Sequence, residues 1–99
     1  GRATHYTPSA DHCGTSSSSS DFVVAIGYNL YMSNDVTSRG VSEYCGKTLT
    51  ATYNGKSVTA KIVDSCASCS DEQIDFSPVA FQQLADLDVG VLQVEWSFD

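Results

Sequence analysis

The sequence predicts a mostly β fold, a small barrel of five or six strands with one or two short helices. Two stretches of clean apolar and polar alternation, 47–63 and 91–98, supply the strand signal. The length supplies the closure: an open sheet in 99 residues would leave long unpaired edges, which a barrel removes.

Arg2 to Tyr6 is the first strand candidate, polar and aromatic, and Thr7-Pro8 ends it. The five serines Ser16 to Ser20 are the only low-complexity stretch. Cysteines and apolar runs flank them, so they read as a solvated loop inside one domain, 1–99, rather than as a linker. Phe22-Val-Val-Ala-Ile26 is a short buried strand, and Tyr28 to Met32 fits one helical turn or two.

From Lys47 the pattern sharpens. Leu49, Ala51 and Tyr53 alternate with Thr48, Thr50 and Thr52, and Asn54-Gly55 suits a two-residue type I′ hairpin. The return strand is Lys56 to Val63, with Val58, Ala60 and Ile62 facing the core; Asp64 falls on that same side at the strand's end. Phe76-Ser77-Pro78 starts a helix by three cues: serine as N-cap, proline at the first helical position, and Phe76 with Phe81 as a hydrophobic staple. This helix is expected to run to about Leu87. Asp88-Val-Gly90 turns the chain, and Val91 to Phe98 closes it as one half-buried strand with Trp96 in phase with Leu92 and Val94, hence core.

A single domain of this size buries roughly 60–65% of its unfolded surface, which leaves little reserve of stability. Cys13, Cys45, Cys66 and Cys69 would add two disulfides outside the cell, each contributing roughly 2–4 kcal/mol, and they allow three pairings. A zinc site is disfavoured because Cys13 and Cys45 are isolated and His5 and His12 lack finger-like spacing. A redox motif is disfavoured because a polar acidic loop, not a helix, follows Cys66-Ala-Ser-Cys69. No metal and no cofactor is expected. The net charge of −7 offers no basic stripe for nucleic acid and none for anionic membranes. No apolar run reaches the ~18 residues of a membrane span. The chain begins at Gly1 without a methionine or leader, so any signal peptide is expected to have been removed.

The candidate chemistry lies in Asp64 and Asp75, two carboxylates at the ends of one cysteine-bearing loop. A carboxylate acts as a general acid when burial or a neighbouring acid raises its pKa, and two converging carboxylates achieve both. The plainer alternative is that each aspartate caps backbone amides at an element end. Aromatic rings would complete a sugar site. Tyr6, beside Thr4 on the first strand, is placed to face a groove, whereas no serine or cysteine stands out as a nucleophile.

Five motifs in order then carry a resemblance: Gly1-Arg-Ala-Thr-His-Tyr6, Asp11-His-Cys-Gly14, Cys45-Gly-Lys47, Val58-Thr-Ala-Lys-Ile-Val-Asp-Ser-Cys66 and Ile74-Asp-Phe-Ser-Pro-Val-Ala-Phe81, ending in Val94-Glu-Trp96. Together they resemble the double-psi β-barrel shared by expansins, barwin and rare-lipoprotein-A-like proteins, with single-domain fungal loosenins the nearest in kind. The resemblance implies six strands around an open polysaccharide groove. It implies Asp75 as the residue on which loosening depends, Asp64 as a second groove acid, Thr4 and Tyr6 on the first strand, and Ser68 on the intervening loop. It also pairs Cys13 with Cys45, leaving Cys66 with Cys69. Related endoglucanases carry a histidine where Gln73 precedes Ile74-Asp75, and bacterial expansins carry a groove tyrosine where Cys66 stands.

The reading that results is a secreted, monomeric, non-hydrolytic protein that binds and loosens cell-wall polysaccharide such as cellulose or chitin. Two alternatives belong to other classes. One is a cysteine-protease inhibitor that inserts the Ser16 to Ser20 loop or the Cys66 to Asp71 loop. The other is a glycan-cleaving lytic transglycosylase; those enzymes keep a histidine after the mid-chain threonine-alanine motif and an aspartate-arginine pair where Asp64-Ser65 stands.

Overall fold

The computed structural model describes residues 1–33 and 35–99. Its elements are β1 (Arg2–His5), β2 (Val23–Gly27), α1 (Tyr28–Tyr31), β3 (Thr48–Tyr53), β4 (Lys56–Cys66), β5 (Ile74–Phe76), α2 (Pro78–Gln82), a 3₁₀ turn (Leu87–Val89), β6 (Leu92–Gln93) and β7 (Glu95–Phe98). The strands form one sheet in the order β6-β1-β5-β2-β4-β3-β7.

The predicted closing strand serves two partners, which is why seven strands appear instead of six. Leu92–Gln93 pairs antiparallel with β1, whereas Glu95–Phe98 pairs antiparallel with β3. The two edges of the sheet are therefore one residue apart in the chain, at Val94, and the sheet closes on itself. The Val94 N–H donates to the Gly1 carbonyl at 2.8 Å, which extends the β1 ladder through the break. Leu92 and Val94 are buried as their phase requires, but Trp96 is only partly buried. It stands at the barrel's open end, where its indole N–H donates to the Glu72 carbonyl at 2.9 Å and its edge meets Phe98.

The hairpin follows its turn chemistry. Asn54 and Gly55 both have positive φ, 49° and 80°, as a type I′ turn demands, and Tyr53 pairs with Lys56 across it. Alternate residues of the paired strands fill the barrel, among them Leu49, Ala60, Ile62, Ile26, Ile74 and Phe76, each at most 1% exposed. A large side chain buried this completely contributes roughly 1.5–3 kcal/mol.

Helix α2 ends at Gln82, not near Leu87. Asp86 adopts an extended conformation and separates α2 from the 3₁₀ turn, where the Leu87 carbonyl accepts the Gly90 N–H at 3.1 Å and also meets His5 Nε2 at 3.0 Å. Ser77 does precede Pro78, and Phe76 and Phe81 are both fully buried. Its side chain does not cap the helix, however: Ser77 Oγ accepts the Val23 N–H at 3.3 Å and ties α2 to β2.

Candidate functional site

Strand β2 lies between β4, which is parallel to it, and β5, which is antiparallel. Ala25 is in register with Asp64 on one side and with Asp75 on the other, and Asp75 is in register with Thr4 of β1. Residues in register share a face of the sheet, and here the flanking Val24, Ile26, Ile74 and Phe76 take the core face. The sheet thus carries an outward row of Thr4, Asp75, Ala25 and Asp64. The two aspartate Cα atoms are separated by two strand spacings, roughly 9–10 Å.

Asp64 reaches that row through a β-bulge. Alternation from Val58, Ala60 and Ile62 places it inward, but the β2–β4 register shifts between Val24 and Ala25, so that Ile62 pairs with Val24 and Asp64 with Ala25. Val63 is the extra residue. It resets the phase, turning Asp64 out and Ser65 in, the kind of re-aiming bulges perform beside functional sites.

Asp75 receives the Thr4 hydroxyl at 2.9 Å. Burial pushes its carboxyl above the usual range; the Thr4 hydrogen bond and the charge of His5 draw it down, and Asp64 pushes it further up. Tyr6, one step beyond Thr4 on the same face, lies close to these acids. Burial first, then the charges of Asp64, Asp75 and Asp11, hold its phenol well above the ordinary tyrosine range. Its hydroxyl is buried without a hydrogen-bond partner among the described residues. A buried donor left unpaired costs free energy.

Asp64 is held differently. Its Oδ1 accepts the backbone N–H groups of Ser65 at 2.8 Å and His12 at 3.1 Å, and the His12 Nδ1 also lies 3.1 Å away. His12 Nδ1 is in addition 2.5 Å from Ser65 Oγ. The amide-capping alternative therefore describes Asp64 and not Asp75. Sequence reasoning left His12 out of the site. Its position follows from the Cys13–Cys45 disulfide, which pins the next residue, and from Tyr31, whose hydroxyl donates to Gly40 O at 2.6 Å and lies 3.3 Å from His12 O. The available signal was the adjacency of Asp11-His12 to a bonded cysteine.

The second disulfide, Cys66–Cys69, closes the turn beyond β4. Gly27 is in register with Cys66, and a Cβ there would come within 2.3 Å of the Ser70 carbonyl, so glycine lets this turn seat against the end of β2. Ser68 sits exposed on that turn with its hydroxyl 3.7 Å from Cys66 Sγ. Among the described residues it bonds neither aspartate. The structure thus gathers Thr4, Tyr6, Asp64 and Asp75 and leaves Ser68 at the margin.

Parallel β1–β5 and β2–β4 pairs joined through an antiparallel β2–β5 pair, with outward acids on the central strands, define a double-psi β-barrel of the expansin and rare-lipoprotein-A-like class. The chain belongs to that family: the double-psi β-barrel model described as lytic transglycolase matches residues 2–96. A papain inhibitor of Streptomyces mobaraensis is 36% identical over 105 residues, covering 99% of this chain and 69% of that protein. The solved structure of a Streptomyces papain inhibitor matches with a TM-score of 0.88 at 32% identity, over 99% of this chain and 90% of that one. An aspartate-to-asparagine variant of the Clavibacter michiganensis expansin, solved with cellohexaose, matches with a TM-score of 0.82 at 23% identity. It is covered for 48% of its length by 100% of this chain, so the likeness is to one part of the expansin and is a likeness of fold.

Proposed function

We propose that this chain is an expansin-like, loosenin-like protein that binds a cell-wall polysaccharide such as cellulose or chitin across the Thr4–Asp75–Ala25–Asp64 row and loosens it without cleaving it. The observation that carries the reading is Asp75: an outward, partly buried carboxyl, raised in pKa, with one side-chain hydrogen bond and an unbonded second oxygen among the described residues. Such a group can donate a proton to, or share one with, a glycan oxygen. Ala25 between the acids keeps the floor of the row small. The cellohexaose bound by the related expansin supports a neutral glycan as the partner. Two disulfides suit an oxidising compartment, so the protein is taken to work as a secreted monomer.

Cleavage is disfavoured by the commitments of Asp64. Hydrolysis with inversion needs a free base activating water opposite the acid. Asp64 Oδ1 is engaged by two backbone N–H groups and stands against an imidazole, which favours an anchoring role, and Gln73 stands where related endoglucanases carry a histidine. Incubation with insoluble cellulose, chitin and peptidoglycan tests the reading, with bound protein, fibre weakening and reducing ends measured in the same tubes. Binding and weakening without new reducing ends is expected. Release of reducing ends that disappears in Asp75→Asn would replace the reading with a hydrolase or transglycosylase.

The likeness to papain inhibitors supports a second reading, in which the Ser16 to Ser20 loop or the Cys66 to Asp71 loop enters a cysteine-protease cleft. Titration of papain with sub-micromolar protein decides it: stoichiometric inhibition, with no retention on any glycan, would favour this function over the first.

A further inference from the structure

The serine run has no part in the acid row; it is a solvated loop, as its composition predicts, but one anchored at several points. Ser17 N–H donates to Ser9 O at 3.1 Å, and Val79 N–H donates to Ser19 O at 3.3 Å. The Asp11 carboxylate takes the Thr15 amide and hydroxyl, and the Asp21 Oδ2 takes the Ser18 amide at 2.8 Å. The run is thereby held as one wall of a cavity of 330 Å³. Val23 and Val63 form its buried floor, and Phe22, 43% exposed, stands at its side.

The polar groups around this cavity divide sharply. Thr15 and Ser18 spend their hydroxyls on holding the loop, whereas Ser16 Oγ, Ser17 Oγ, Asp21 Oδ1 and Lys61 Nζ bond nothing among the described residues. Residues bearing two hydroxyls, one carboxylate oxygen and one ammonium thus line the cavity together with the partly exposed ring of Phe22. Few convergent polar groups over an apolar floor, in a volume of this order, make a small-ligand site. A pyranose offers the matching chemistry: an apolar ring face for Phe22, and hydroxyls that both donate to Asp21 and accept from Lys61. The position fits as well. Val23 pairs with Lys61 as Ala25 pairs with Asp64, so the cavity floor lies two residues along β2 from the acid row on the same face. Two residues along a strand is roughly 6.6 Å.

We propose that the Phe22–Lys61 cavity is an additional glycosyl subsite, taking a pyranose unit beside the Asp64–Asp75 row; it rests on the glycan-binding reading of that row. The test is a ¹⁵N chemical-shift titration with soluble cellohexaose and chitohexaose on the wild type, Phe22→Ala, Ser16→Ala/Ser17→Ala and Asp75→Asn. Amides of Ser16, Ser17, Phe22 and Lys61 should shift together with those of Thr4 and Asp75. Loss of the aromatic platform should weaken affinity roughly two- to tenfold. The double serine variant, which keeps Phe22 and the loop's anchoring bonds, should weaken it too, and Asp75→Asn should leave the cavity shifts in place. Shifts at the acid row alone would overturn the subsite and leave the row intact. Shifts at the cavity alone would keep the subsite and remove the row. No shifts with either sugar would overturn both, and cavity amides that respond to papain alone would assign this wall to a protease.

Discussion

Asp64 and Asp75 never touch, yet both are in register with the same residue, Ala25, one across a parallel pair and one across an antiparallel pair. That arrangement makes them unequal. Asp64 arrives through a bulge and is tied to the Asp11–Cys13 segment by Oδ1, whereas the carboxyl of Asp75, mid-strand, is bonded among the described residues by Thr4 alone. On the proposed reading, a glycan lying across the row would meet Asp75 at one end and the anchored Asp64 at the other.

Asp75→Asn should reduce fibre weakening at least about tenfold, the low end of what a hydrogen bond to a charged group supplies. The fold should survive. Because burial raises the carboxyl in the folded state, ionisation favours the unfolded chain, so the stability associated with Asp75 is fully present below the ordinary carboxylate range and is lost as pH rises through its folded value. The variant should therefore melt at or above the wild type at pH 7, with the advantage shrinking as the pH falls toward 3. Calorimetry across that range checks the sign, and a variant less stable at pH 7 than at pH 4, relative to wild type, would contradict it.

Thr4→Val tests the one group that pulls Asp75 down by hydrogen bonding. The replacement keeps the β-branched shape that β1 requires and removes the 2.9 Å bond. The Asp75 carboxyl should titrate at still higher pH, observable by ¹³C carboxyl NMR, and the alkaline fall of loosening activity should move upward with it. A stability loss of about 1 kcal/mol is expected. An activity profile that stays fixed while the carboxyl titration moves would show that Asp75 ionisation does not govern loosening.

Tyr6→Phe separates stability from binding. The Tyr6 hydroxyl is buried and unpaired in the free protein, so its removal should leave stability unchanged or raise it by up to about 1 kcal/mol. If the hydroxyl meets a glycan oxygen, affinity for the polysaccharide should fall roughly two- to tenfold at the same time. A parallel loss of stability and binding would mean that Tyr6 is a packing residue.

These residues also show what was legible from the chain and what was not. The Asn54-Gly55 hairpin and the Ser77-Pro78 helix start are local chemistry, fixed by φ preferences, and both stand where the pattern puts them. Asp75 was legible because it stands two residues before a marked helix start, whereas the three-residue strand β5 that carries it, set by pairing with β1 and β2, was not. The orientation of Asp64 was not: the bulge at Val63 is set by pairing with β2, some forty residues earlier, and a period-2 pattern cannot register it. His12 was equally hidden, since a disulfide and the Tyr31 hydroxyl bring it to Asp64. Helix α2 stops at Gln82, and the stretch beyond it holds an extended Asp86 and a 3₁₀ turn whose Leu87 carbonyl meets the distant His5. Closure divided the last strand at Val94, with each half recruited by a different edge. For Asp64, His12 and the last strand the competing interaction is long-range.

The two disulfides should differ in both stability and function. Cys13–Cys45 spans 32 residues and Cys66–Cys69 spans 3. By loop-closure entropy the first contributes roughly 3–4 kcal/mol and the second roughly 1–2 kcal/mol. Removal of the first pair, Cys13→Ala/Cys45→Ala, should lower the melting temperature by about 15–25 °C, against about 5–10 °C for Cys66→Ala/Cys69→Ala. The functional consequences run in different directions. Without Cys13–Cys45, the residue next to His12 is no longer cross-linked and the His12 amide that helps fix the Asp64 carboxylate is held less firmly, so glycan binding should weaken even at temperatures where the fold persists. Without Cys66–Cys69, the turn beside Gly27 loosens at the edge of the row, while Thr4, Asp75 and Asp64 keep their partners on the strands. Binding should then change less than twofold, about the scatter of a pull-down at 0.4 kcal/mol. Equal losses of binding in the two variants, measured well below both melting temperatures, would show that Asp64 does not depend on the Cys13 segment for its place in the site.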